Sequence, residues 1–290
     1  MKYLLVVVAL VCTSALAQEW QFDGQNPNSQ QVKQWQQQAA AEGKDLMLVL
    51  GANWCGDSTA LLQQFNQPEF SQKLQQNYQV RPVDVGYFER GYDIVKAYDE
   101  PMYYGTPTVI IIDAETGAID NFGDWQHWTN ASKHSREEFT RYFIEQSYQA
   151  VDKSQLSQAQ QQQLNDFSQR QAQRVKAGYD WVAPHLKAYK DSGAKQPPQA
   201  FIDKWMAVAT FRNQVHSDIV TAIEQGIANP NQPLPLPSYP QQRWESEQDP
   251  LVQIYRGPQS QWPAAMVDSN VTATPLAALP RQQEAHAKKS

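Results

Sequence analysis

Leu46-Met47-Leu48-Val49-Leu50-Gly51-Ala52-Asn53-Trp54-Cys55-Gly56-Asp57-Ser58 joins an apolar run to a small-residue turn, an aromatic and a cysteine. The unbroken apolar residues Leu46 to Leu50 predict a central strand covered on both faces. Beyond the cysteine, Leu61, Leu62 and Phe65 recur at helical spacing until Pro68, so Cys55 opens a helix directly after a strand. Free backbone N–H groups and the helix dipole favour an anion there, which lowers a thiol pKa and raises the thiolate fraction, the nucleophilic form. Ser58, one turn on, is placed to donate a hydroxyl hydrogen bond to the sulfur, whereas the carboxylate of Asp57 disfavours the thiolate. The residues alone leave a second reading open: an inert cysteine buried in a strand–helix junction.

Working outward, Ser29 is placed to cap a helix running to about Glu42 and ended by Gly43. Phe70 and Leu74 mark a second short helix after the Cys55 helix, Tyr78 to Val85 reads as a strand, and Ile94, Val95 and Tyr98 suit a helix ahead of Pro101. Gly105-Thr106-Pro107-Thr108-Val109-Ile110-Ile111-Ile112-Asp113 is a strand entered through a proline. Thr116-Gly117 turns the chain, and Ala118 to Phe122 is expected to pair back as a hairpin strand. Ser135-Arg136-Glu137-Glu138 is a capping box before a helix through Phe139, Tyr142 and Phe143. Alternating elements of this kind predict an α/β domain over residues 18–150, a sheet with helices on both faces.

After Ser154 the strand signals stop. Leu156, Leu164, Phe167, Val175, Tyr179 and Val182 mark a long amphipathic helix that Pro184 is expected to kink or break. Lys195-Gln196-Pro197-Pro198 links it to a second helix, where Phe201, Trp205, Val208, Phe211, Val215, Ile219 and Ile223 recur every three or four residues. Residues 151–228 are thus a helical extension. Residues 229–290 form a proline-rich tail, extended and packed or disordered, whose Trp244, Tyr255 and Trp262 argue that part of it docks.

Met1-Lys2-Tyr3, the apolar run Leu4 to Val11 and the small-x-small triplet Ala15-Leu16-Ala17 have the pattern of a removed export signal, residues 1–17. An exported setting, periplasmic or secreted, is oxidising, so a chain left there with Cys55 as its single cysteine carries a flag for a reactive thiol, an intermolecular pair or an inert buried residue. No later apolar run is long enough to span a bilayer, so the mature chain is expected to be soluble. The 24 basic residues stand against 30 acidic ones with no basic run, which gives nucleic acid no electrostatic footing. His127 and His134 flank Trp125 and Trp128 without a ligand pattern, so neither metal nor cofactor is expected. Tyr87-Phe88, Tyr92 and Tyr103-Tyr104 read as core packing or as an apolar rim around Cys55. Asn130-Ala131-Ser132 and Asn270-Val271-Thr272 match the glycosylation sequon.

Trp54-Cys55-Gly56-Asp57-Ser58 after an apolar strand, with Gly105-Thr106-Pro107-Thr108 downstream, resembles the thioredoxin superfamily. Asn66-Gln67-Pro68-Glu69-Phe70 and Val83-Asp84-Val85 look most like its exported branch, and the resemblance covers roughly residues 28–150. It implies a thioredoxin fold with a central mixed sheet and flanking helices. It also implies that Cys55 is the attacking cysteine, Trp54 the aromatic before it and Pro107 a cis-proline. Thr106 would then pair through its backbone with a bound substrate, beside Gly56 and Asp57 of the motif. Two departures matter: Ser58 stands where the resolving cysteine belongs, and Val49 stands where many relatives carry a buried acid.

A thiolate without a resolving partner can form a mixed disulfide but cannot expel the substrate with a second thiol of its own. The implied activity is therefore monothiol exchange on protein or small-thiol disulfide substrates: isomerisation, adduct removal or covalent holding of a client. An external thiol or reductase partner must complete it. The competing reading is a redox-inactive thioredoxin-fold binding or chaperone-like module acting through its C-terminal half.

Overall fold

Strand β1 (Asp45–Gly51) is the middle strand of a mixed three-stranded sheet, between β2 (Tyr78–Asp84) and β3 (Thr108–Ile112). In this computed structural model, which describes residues 19–247 and 249, β1 pairs parallel with β2 from Asp45 opposite Tyr78 to Gly51 opposite Asp84. It pairs antiparallel with β3 from Leu46 opposite Ile112 to Leu50 opposite Thr108. The expected export signal, Tyr255, Trp262 and the Asn270 sequon lie outside the described residues. Pro82 is accommodated because β2 is an edge strand, where a missing donor costs no ladder bond.

Successive side chains on a strand point to opposite faces, and the apolar run of β1 serves both. Met47 and Val49 pack with Leu61, Leu62 and Phe65 of α2 (Gly56–Phe65), Phe70 and Leu74 of α3 (Pro68–Asn77), and Phe139 and Phe143. Leu46, Leu48 and Leu50 face α1 (Ser29–Ala41) and α4 (Tyr92–Lys96). Their cluster continues without a break into α6 (Gln158–Asp191) and α7 (Gln199–Ala228). The helical extension is therefore a further layer on one face of the sheet. No described helix is long and apolar enough to cross a membrane.

Three local expectations are corrected. The cap of α1 is Asn28, whose side chain accepts from Gln31 N at 2.9 Å, and not Ser29. Ala118 to Phe122 forms no strand. One bridge, Ile112 to Ile119, is made. The side chain of fully buried Asn121 then takes over: Oδ1 accepts from Ile111 N at 2.9 Å and Nδ2 donates to Val109 O at 2.8 Å. A side chain thus finishes the edge of β3 that a fourth strand would have covered.

The capping box at Ser135 opens a short helix, α5 (Arg136–Phe139), which loosens into a π-helical turn over Thr140–Ile144. Finally, α6 runs through Pro184 unbroken, because Tyr179, Trp181, Val182 and Leu186 around the proline are all buried and packing outweighs the lost hydrogen bond. The tail docks as far as it is described. Trp244 is buried with Nε1 donating to Arg174 O at 2.9 Å, and Arg174 pairs with Glu245.

Candidate functional site

Residue 55 ends the turn after β1 and is the N-cap of α2, with extended backbone (φ −90°, ψ 115°). Its N–H donates to Ala52 O at 3.0 Å, and its carbonyl accepts from Thr59 N at 3.1 Å. That geometry leaves the thiol at the helix N-terminus without using it as a cap. The side chain is 9 % exposed. Its sulfur lies 3.5 Å from the carbonyl oxygen of Thr106, and the Thr106 hydroxyl is 3.6 Å from the same sulfur. The Thr106–Pro107 peptide bond is cis, and Gly105, Thr106 and Pro107 are all buried.

Ser58 does not reach Cys55. It is fully buried with a hydroxyl that has no hydrogen-bond partner, and it faces β1: a Cβ placed on Gly51 would lie 2.7 Å from its Oγ. The expected hydrogen bond from Ser58 to the sulfur is corrected accordingly, since the helical turn carries the hydroxyl toward the strand. Asp57 is turned away as well: its Oδ1 accepts from the N–H and the hydroxyl of Ser132, at 3.0 and 2.6 Å. That pair ties α2 to the 3-10 segment His127–Lys133. Gly56 is exposed beside the cysteine, and Val49 is buried in the sheet.

Trp54 is fixed by Nε1 donating to Gly86 O at 2.8 Å, by stacking on Tyr87 (centroids 5.9 Å apart) and by the edge of Phe88. Of the aromatic cluster, Phe88, Tyr103 and Tyr104 are core, and Tyr87 and Phe88 are the two that touch Trp54. His134 pairs with Glu138 and Asn130, and His127 stacks on Tyr142.

Two residues of α7 reach the site from outside the motif. Trp205 packs edge-on against Trp54, with centroids 6.2 Å apart. Arg212, 5 % exposed, lies over the Trp205 ring at 5.4 Å, and its guanidinium carbon would be 3.5 Å from a Cβ on Gly105. Arg212 had a signal in the sequence, since with His216 it is a polar residue at helical spacing on the otherwise apolar face of Val208, Phe211, Val215 and Ile219, whereas Trp205 belongs to the apolar periodicity.

The family comparison agrees with this fold. Residues 28–114 match the model of a thioredoxin-like family, and the domain built on β1 has a thioredoxin-like fold. The crystal structure of a disulphide isomerase from Xylella fastidiosa Temecula1 is similar over 43% of this chain and 95% of its own length, at 26% identity and a TM-score of 0.40. No curated protein matches the chain.

Proposed function

We propose that the protein performs thiol–disulfide exchange through Cys55 in a single-thiol mode. The observation that carries this reading is the sulfur at the N-terminus of α2 facing Thr106 across a cis peptide, in a domain of thioredoxin-like fold. The thiolate attacks one sulfur of a disulfide. A bond from Cys55 to that sulfur forms as the old S–S bond breaks, and the departing thiolate takes up the proton that Cys55 released. Ser58, where a second cysteine would stand, offers no thiol to resolve the adduct, so a thiol from outside completes the cycle. The pattern of residues 1–17 supports an exported, periplasmic or secreted setting for this chemistry.

Mass spectrometry of the protein isolated from its native compartment tests the reading. Cys55 is expected to be recovered in mixed disulfides, and Ser58→Cys, which restores a second thiol, is expected to cut their yield about tenfold. Cys55 found only as a free thiol, inert to added disulfides, overturns it. A partner list unchanged by Cys55→Ser would instead favour the binding-module reading that the missing second cysteine motivates.

A further inference from the structure

A chain of close neighbours links the sulfur to α7 and back. From Cys55 the path runs through Thr106 to Gly105, across to Arg212 of α7, along α7 to Trp205, and through Trp54 back to Cys55. Four of its six residues belong to the thioredoxin-like domain, and Arg212 and Trp205 belong to the helical extension. The extension is not loosely apposed, because its apolar side chains share one continuous cluster with Leu46, Leu48 and Leu50 of β1.

The rim decides what can reach the thiol. A polypeptide laid along the Gly105-Thr106-Pro107 backbone would sit about 4.8 Å away, the spacing of paired chains. On the side-chain face of this loop, Thr129 Cγ2 and the Arg212 guanidinium carbon stand 2.7 and 3.5 Å from where a Cβ on Gly105 would be. All three loop residues are buried, so their backbone presents little accessible edge to a second chain. Exposed Gly56 and half-buried Trp54 mark the side that remains open.

Resting on the exchange reading above, we infer that the substrate is a low-molecular-weight disulfide rather than a disulfide within a polypeptide, and that α7, through Trp205 and Arg212, sets this selectivity. The thiolate of Cys55 takes one half of the small disulfide as an adduct and releases the other half as thiol. A second low-molecular-weight thiol then attacks the adduct sulfur. It leaves with that half as a new small disulfide and returns the electron pair and a proton to Cys55. No oxidant or reductant is consumed.

The test uses the full reduced chain and follows the Cys55 adduct by intact mass. One substrate is glutathione disulfide, and the other is an extended peptide whose central cysteine is disulfide-linked to glutathione. Both rates are divided by those of a free small thiol, to remove intrinsic reactivity. The corrected rate is expected to favour glutathione disulfide by about tenfold or more, and Trp205→Ala to shrink that preference at least about threefold. Equal corrected rates in the unmodified protein overturn the selectivity while leaving exchange intact. Failure of both substrates to form an adduct falls on the exchange reading itself, and the inference falls with it. If Trp205→Ala does not fold, as judged by circular dichroism, the ratio for the unmodified protein alone decides.

Discussion

The carbonyl oxygen and the hydroxyl of Thr106 both lie against the sulfur of Cys55, at 3.5 and 3.6 Å. The hydroxyl that can donate to a Cys55 thiolate thus comes from the loop across the site and not from the helix that carries the cysteine. Thr106→Val keeps the shape and removes the donor. A hydrogen bond to a charged group contributes about 1.5 kcal/mol or more, so adduct formation at neutral pH is expected to slow about tenfold. Thr106→Ser, which retains the donor, should remain close to the unmodified rate. Equal rates for valine and serine variants would remove Thr106 from the chemistry.

Ser58 gives the complementary case. Its buried hydroxyl has no partner, and a buried polar group left unsatisfied costs about 1–3 kcal/mol. Ser58→Ala deletes that group in a helix where alanine is the better former. Chemical denaturation should show the variant more stable by about 1 kcal/mol. A loss of stability would mean that the hydroxyl is satisfied in solution.

Asn121 is the residue on which the β3 edge depends. Besides its two bonds to that strand, its Nδ2 donates to Tyr142 Oη at 3.1 Å, which links the sheet to the helical turn beyond α5. Asn121→Leu fills a similar volume but orphans the N–H of Ile111 and the carbonyl of Val109. The expected loss in urea unfolding is about 3 kcal/mol, the cost of two unsatisfied backbone groups. Asn121→Asp, which keeps the acceptor for Ile111 N, should lose the bond to Val109 and still fall below the unmodified protein.

The placement of Cys55 was legible because it is local: an apolar strand, a turn and a helix start occupy one short stretch, and the proline loop is recognisable by its own residues. Ser58 was misjudged because its surroundings are set by how α2 rotates on the sheet, and the hold of Ser132 on Asp57 comes from a 3-10 segment far along the chain. Pro184 misled because propensity counts only the lost hydrogen bond, whereas the buried residues around it decide whether the helix continues. The rim residues Trp205 and Arg212 read as ordinary members of a helix. Only the packing of α7 onto the face of Leu46, Leu48 and Leu50 brings them beside Trp54 and Gly105.

That same packing gives the rim a pH dependence through His216, one turn beyond Arg212. The imidazole is buried against Trp125, Phe122 and Tyr104, and Nε2 pairs with Phe122 O at 3.0 Å. Burial pushes its pKa from the ordinary 6.5 down to about 4, with the Phe122 contact opposing the shift. As pH falls through 6.5 the unfolded chain takes up a proton that the folded chain refuses until about 4. The stability linked to this residue is therefore complete above 6.5 and declines between 6.5 and about 4. A difference of that size corresponds to about 3 kcal/mol. His216→Gln keeps a donor for Phe122 O and cannot become charged. Urea unfolding across this pH range should find the acid limb of the variant flattened by about that amount. Parallel acid limbs in the two proteins would assign the pH dependence to another group. Because His216 and Arg212 share one face of α7, acidification should also loosen the wall beside Gly105. The preference for small disulfides is then expected to weaken toward pH 4 in the unmodified protein and to persist in His216→Gln.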